Sequence, residues 1–388
     1  MSGARDPITR AVRAGLVSDA QTGAVVPPIH LSSTFAFRGF GEKREYDYTR
    51  AGNPTRDLLG RALAELEGGA GSVVTATGMA AITLAGHLLP ARARIVAPHD
   101  CYGGTYRLFE AWRKRGELET AFVDFADEAA VRAALEAPTG LLWIETPSNP
   151  LLRITDIERF AALGHASGAL VAVDNTFLSP LWQRPLDFGA DLVVHSTTKY
   201  LNGHSDVVGG AVVARNAQHL EQLEWWANGL GLTGAPFDSY MTLRGVRTLA
   251  ARLEQHGRNA QALAEWLATE PGIERVYYPG LARHPGHEVA RRQQRGFGGI
   301  VSLVLAGGSE AVRALVSRLE CFALAESLGG VESLIAHPAS MTHAAMDPQA
   351  RARAGLVDGL VRLSVGIEAL EDLRADLAAG LERARRVS

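Results

Sequence analysis

The chain has 388 residues, 47% of them hydrophobic and 21% charged, with a net charge of −3. That length allows two or three domains around a large core, and the composition is that of an ordinary soluble globular protein. There is no basic block, no apolar run near the roughly eighteen residues a membrane span needs, no signal-peptide core and no C-x-x-C joining Cys101 to Cys321; nucleic-acid, membrane and disulfide-scaffold classes fall away, and a cytoplasmic protein is expected.

Residues 1–60 do not read as a compact unit. Residues 25–33 carry two prolines, which lack the amide a central strand needs, and residues 45–57 are polar and turn-rich. They read as an extended arm lying over another surface, such as a neighbouring subunit. Left bare, Tyr46, Tyr48 and residues 35–40 would form one large aromatic patch in water. A loose leader is the other reading. From Asn53 the pattern is regular: Asn53 caps a helix with Pro54 first, Leu58, Leu59, Leu63 and Leu66 recur at helical spacing, and Gly68-Gly69 stops it. A strand over 72–75, an apolar helix from Gly78 to Leu89, a strand over 94–97 and a helix over 106–115 follow. Further strands are predicted over 121–125, 141–145, 170–174 and 192–195, with an edge strand over 207–214. Strands apolar on both faces, alternating with helices, predict a mostly parallel sheet covered by helices. Beyond residue 247 the alternation shortens. Helices over 248–269, 287–294, 310–319 and 370–386 and strands over 274–278, 299–305 and 360–365 predict a smaller α/β domain. The expected organisation is an arm (1–60), a large domain (61–247) and a C-terminal domain (248–388).

Residues 190–210 place one lysine, Lys199, after an apolar run and a cluster of small hydroxyls, and Asp174 ends another apolar run twenty-five positions earlier. A lysine and an aspartate at two strand ends fit a pyridoxal phosphate site, with the aspartate against the pyridinium nitrogen. A structural lysine is the alternative, and this stretch alone leaves both open. The turn Thr75-Ala76-Thr77-Gly78-Met79 offers the free amides of a helix N-terminus to a phosphate. Ser196 and Thr198 add hydroxyls, and Tyr48 and Arg50 carry a phenol and a guanidinium suited to a dianion. Other patterns fail. The G-x-G-x-x-G of residues 229–234 follows a helical stretch, Lys199 lacks the glycines of a Walker loop, and no G-x-S-x-G occurs. His204-Ser205-Asp206 offers two metal ligands with no third, so no metal is expected. Late in the chain, residues 325–333 bring a carboxylate and hydroxyls between glycines. Arg362 stands alone in an apolar strand, where its guanidinium needs a partner: an amino-acid carboxylate or a structural acid.

Read together, the blocks Y-T-R-A-G-N-P-T-R, A-P-H-D-C-Y-G-G-T-Y-R-L-F, E-T-P-S-N-P-L-L-R, V-D-N-T-F-L-S-P, H-S-T-T-K-Y-L-N-G-H-S-D, A-E-S-L-G-G-V-E-S-L and M-T-H resemble the Cys/Met-metabolism family of pyridoxal-phosphate enzymes. The likeness runs nearly end to end and is strongest to the bacterial γ-synthases of that family. It implies an α/β, PLP-dependent transferase-like (fold type I) architecture. It also implies Lys199 as the Schiff-base lysine, Asp174 as the pyridinium partner, and Tyr102 as the ring-stacking tyrosine that assists proton transfer. Gly78, Met79, Ser196 and Thr198 match the phosphate cradle. Tyr48 and Arg50 match the pair that reaches the phosphate from the adjacent subunit of a homotetramer. Arg362 matches the substrate-carboxylate arginine, with Asn149 and Ser327 beside it.

The implied reaction is replacement of succinate in O-succinylhomoserine by cysteine, giving cystathionine on the route to methionine. γ-Lyase cleavage of cystathionine and sulfhydrylation of an acylated homoserine are the alternatives on the same scaffold. Glu326 is shared by γ-synthases and γ-lyases; Val331 argues against β-lyases and Gly104 against methionine γ-lyases. Some γ-synthases carry a second arginine where this chain has Ala51, and Arg107 is the substitute for the distal carboxylate.

Overall fold

The computed structural model describes residues 5–342 and 354–387. Seven strands form the first sheet: β1 (Gly71–Thr75), β2 (Arg94–Pro98), β3 (Glu119–Val123), β4 (Leu141–Glu145), β5 (Leu170–Asp174), β6 (Leu192–His195) and β7 (Gly210–Ala214). Their order is β1-β7-β6-β5-β4-β2-β3, and only β7 runs against its neighbours. The sheet is therefore mostly parallel, the arrangement that both-face burial demands. In β4, Leu141 and Trp143 face one core while Leu142 and Ile144 face the other, and β5 and β6 divide in the same way.

The segment over 207–214 is not an edge strand. β7 pairs with β1 on one side and β6 on the other, and is buried throughout. An all-apolar run of five residues reads alike at an edge and at a centre; long-range pairing decides between them. Other boundaries differ by up to three residues. The strand expected over 121–125 sits two residues earlier, and the helix expected to reach Leu89 is Gly78–Gly86.

A second sheet of five strands has the order β10-β11-β12-β9-β8, from β8 (Ile273–Tyr277), β9 (Ile300–Leu305), β10 (Ala323–Leu324), β11 (Leu334–Ala336) and β12 (Leu360–Ser364). Helices Gly308–Val316 and Leu370–Arg385 build a separate core on it with Val301, Leu303, Leu363 and Leu377. Helix Leu249–Leu267 joins the two units, burying Leu249 and Leu253 in the first core and Leu263 and Leu267 in the second.

Ahead of the first sheet, helix Pro7–Val12 leads into a chain that pairs only locally, Thr34 with Tyr48 and Gly39 with Glu42. Helix Pro54–Glu67 then begins at Asn53, whose side chain accepts the amides of Thr55 and Arg56, and ends on left-handed Gly68. The segment before it leaves Val25, Ile29, Leu31, Phe37 and Phe40 exposed, Phe40 completely. No helix among the described residues is long and apolar enough to cross a membrane.

Candidate active site

In a mostly parallel sheet the C-terminal strand ends form one rim, where ligands collect. Here that rim, the segments after β10 and β11, and Arg362 of β12 line a cleft of about 460 Å³. Asp174 ends β5, Glu145 ends β4, and Ser196, Thr198 and Lys199 follow β6; all five line the cleft with Gly78, Met79, Tyr102, Arg107, Asn149, Glu326, Ser327 and Arg362. Twelve positions expected from sequence thus meet in one cavity although they span residues 78 to 362. Tyr48 and Arg50 do not line it. Both sit on the arm, with the Arg50 guanidinium over the Tyr48 ring (5.3 Å) and Arg50 Nε donating to Asn228 (3.0 Å). The Met-Thr-His block reaches the cleft through Met341 and Thr342, while His343 lies outside the described residues.

One end of the cleft gathers donors that could hold an anion. Thr77 caps helix Gly78–Gly86, its hydroxyl taking the Ala80 amide (2.9 Å), which leaves the first-turn amides of Gly78 and Met79 at the positive end of the helix. A Cβ on Gly78 would stand 2.8 Å from the Ser196 Cβ, so only glycine lets the helix start close on Ser196. Ser196 is fixed by its amide donating to Thr176 Oγ1 (2.8 Å), and Thr198 Oγ1 takes the Gly209 amide (3.0 Å). Small residues, amides and hydroxyls around one hollow are the donor set a phosphate monoester requires.

The middle of the cleft carries the titratable groups. Lys199 Nζ donates to Ser327 Oγ (2.7 Å). Burial first, and then the charge of Arg362, pulls its ammonium down to about 8. Asp174 accepts the Thr176 amide (3.0 Å); burial raises its carboxyl, against hydrogen bonds from Thr176 and the nearby His195. Behind the sheet, His195 Nε2 meets Glu67 Oε1 (2.7 Å), which also accepts from Asn175 (2.9 Å), all three side chains being buried. Tyr102 stands at the lip, 41% exposed, at the start of helix Gly103–Arg115. Its ring occupies the space beside Gly104, where a Cβ would come within 2.5 Å of the ring and 2.7 Å of the Met79 sulfur.

At the far end lies Arg362. Its Nη1 donates to Asn149 Oδ1 (2.8 Å) and its Nη2 to the Ser327 carbonyl (2.7 Å), while Nε has no partner among the described residues. These acceptors are neutral, so among the described residues no structural acid is hydrogen-bonded to this guanidinium. Ser327 adopts φ +90°, a region that disfavours side chains, and is held there between Lys199 and Arg362. A strained residue bridging a lysine and an arginine is the kind of backbone cost found where geometry serves a ligand.

Glu145, Glu67 and His195 were missed as site residues by sequence reasoning. For Glu145 the signal was present: β4 ends on an acid in register with the Asp174 that ends β5. Nothing in sequence joins Glu67 to His195, 128 residues apart.

Residues 8–382 match the family described as Cys/Met metabolism PLP-dependent enzyme. The chain is 55% identical over 383 residues to the cystathionine gamma-synthase of Escherichia coli (strain K12), covering 98% of this chain and 99% of that one. It is 49% identical to the cystathionine beta-lyase of Coxiella burnetii, covering 96% and 97%. The solved structure of cystathionine gamma synthase from Xanthomonas oryzae pv. oryzae in complex with cystathionine superposes with a TM-score of 0.98 at 61% identity, covering all of both chains. Matched along nearly its whole length, this chain belongs to the Cys/Met metabolism family of pyridoxal-phosphate-dependent enzymes.

Proposed function

We propose that the cleft performs a γ-replacement: succinate leaves O-succinylhomoserine and the thiol of cysteine takes its place, giving cystathionine. The observation that carries this reading is the chain Lys199–Ser327–Arg362, closed by two contacts of 2.7 Å. It sets a proton-carrying amine beside a guanidinium with a free donor, as an α-amino acid held by its carboxylate requires. The 55% identity to a cystathionine gamma-synthase supports the same choice.

Pyridoxal 5′-phosphate, when bound, supplies an electron sink for the pair left as the substrate's α-proton departs. The chain's own residues do the rest. Gly78, Met79, Ser196 and Thr198 hold the phosphate, Asp174 pairs with the ring nitrogen, and Tyr102 covers the ring face and assists proton transfer at the substrate amine. Arg362, with Asn149 and Ser327 at its sides, takes the substrate carboxylate bidentately. Lys199, held near 8, both accepts and returns protons close to neutral pH, so it can remove the α-proton and then one from the β-carbon, which lets the γ-substituent leave. Glu326 and Arg107 stand at the mouth. With Ala51 offering no charge, Arg107 is the group for the succinyl carboxylate.

Tyr48 and Arg50 complete the phosphate site of a neighbouring copy in a homotetramer built as a dimer of dimers. The support is an arm that packs little on its own chain and exposes Leu31, Phe37 and Phe40. The test is kcat/KM for O-succinylhomoserine with cysteine, for O-acetylhomoserine with cysteine, and for cystathionine alone. The first is expected to exceed the third by tenfold or more, about 1.4 kcal/mol of transition-state discrimination. A dominant rate on cystathionine alone would replace the synthase reading with the γ-lyase.

A further inference from the structure

Two strands of the large sheet end side by side on an acid. Glu145 and Asp174 are register partners on neighbouring parallel strands, so they project to one face from backbones about 4.8 Å apart. Both line the cleft, and Glu145 is only 5% exposed. Glu145 Oε2 accepts the backbone N–H of Tyr102 (2.8 Å), the residue from which helix Gly103–Arg115 starts. The titratable groups facing Glu145 are Asp174 from β5, and Asp100 and Cys101 from the segment after β2. Arg153, the guanidinium of that corner, is committed to Asp100 (3.0 Å) and to the Ala354 carbonyl (3.1 Å).

Asp174 is better served. Thr176 donates to it from both hydroxyl and amide and His195 stands behind it, while Glu145 has the backbone amides of Tyr102 and Asn149 alone. Two adjacent buried carboxyls without a dedicated cation cannot both ionise at modest cost, and the better-solvated one keeps the charge.

We propose that Glu145 holds a proton in the folded protein and acts as a positioning residue, a neutral acid that fixes the Tyr102 turn and leaves Asp174 as the one anion that would pair with the ring nitrogen. Burial, followed by the charge of Asp174, pushes the Glu145 carboxyl well up, in the direction this requires. The site then presents the ring nitrogen with one negative charge instead of two, and keeps the stacking tyrosine in place through its main chain.

The test compares the wild-type full chain with Glu145→Gln and Glu145→Met. Infrared difference spectra of the cofactor-free proteins read the carbonyl stretch of a protonated carboxylic acid near neutral pH. The band is expected in the wild type and missing in Glu145→Gln; an identical band in both would overturn the proposal. This readout needs no substrate, so it is independent of the γ-replacement reading. In the cofactor-loaded proteins, Glu145→Gln, neutral and still able to accept the Tyr102 amide, is expected to keep the pH midpoint of the cofactor's visible absorbance within about half a unit. A larger displacement would mean that the native side chain carries charge. Glu145→Met fills the same space without an acceptor, and is expected to raise KM roughly tenfold, the worth of one buried hydrogen bond. Wild-type KM in that variant would refute the positioning role.

Discussion

Arg252 and Arg362 are buried to nearly the same degree, 5% and 3% exposed, and burial draws both guanidiniums down to about 10. Their surroundings differ. Arg252, on the helix that joins the two units, donates to the Tyr200 and Gly245 carbonyls (2.8 Å each) and to Thr248 Oγ1 (3.1 Å). Gly203, at φ +74°, closes over it so tightly that a Cβ would fall 2.1 Å from Nη1. Arg362 reaches two neutral oxygens, keeps Nε unpartnered among the described residues, and lines the cleft. Similar desolvation costs thus serve two ends: one guanidinium saturates backbone carbonyls at a junction, and the other is left short of an anion that a substrate can supply.

The sharpest separation is expected from Arg362→Ala. With the carboxylate anchor gone, kcat/KM should fall by about 10²- to 10³-fold, as for loss of one partner in a buried charged pair, while the melting temperature moves little. Steady-state kinetics and thermal melts on the same samples check this; a large loss of stability with little loss of kcat/KM would erase the contrast. The reverse pattern is expected of Arg252→Ala. Two carbonyls and a hydroxyl lose their donor in a closed region, so denaturant unfolding should show about 2–4 kcal/mol of destabilisation. The smallest effect concerns Lys199, which feels only one of the two arginines. Its folded value of about 8 lies below the 10.5 of a free lysine. The folded cofactor-free protein therefore binds fewer protons than the unfolded chain between those values, and its stability rises as pH climbs through that window. Below it, the buried ammonium is carried at a cost. Since the neutral amine is the nucleophile, cofactor uptake should show a midpoint near 8. Arg362→Ala should move that midpoint upward by about half a unit, and Arg252→Ala should leave it in place. Stopped-flow absorbance across pH measures all three proteins.

Legibility in sequence followed the range of the interactions. β4, β5 and β6 could be read because each is an apolar run with a polar terminator, and burial on both faces leaves that mark. Helix Pro54–Glu67 could be read from its ends, Asn53 and Gly68, whose capping chemistry is local. β10 and β11, at two and three residues, are too short to carry any periodicity. The place of β7 in the sheet was equally hidden, since its register with β1 joins residues about 140 positions apart. The same limit applies in the site. Lys199 and Asp174 stood out as polar residues ending apolar runs, and Arg362 as a charge inside one. Glu145 ends its run in the same way, but its meaning comes from Asp174 lying beside it.

By itself, the sequence determined the alternation of strands and helices, the capped helix start before Gly78, and a lone lysine behind an apolar run and small hydroxyls. These rest on spacing, capping and composition within a few residues. Tertiary structure alone decided that Ser327 links Lys199 to Arg362, that Glu145 shares a corner with Asp174, and that one buried arginine is saturated while the other is not. Those facts depend on which chain segments meet, Lys199 with Ser327 across 128 residues and Arg362 with Asn149 across 213, and on what neighbours are left to satisfy a buried charge, and neither is written in any local pattern.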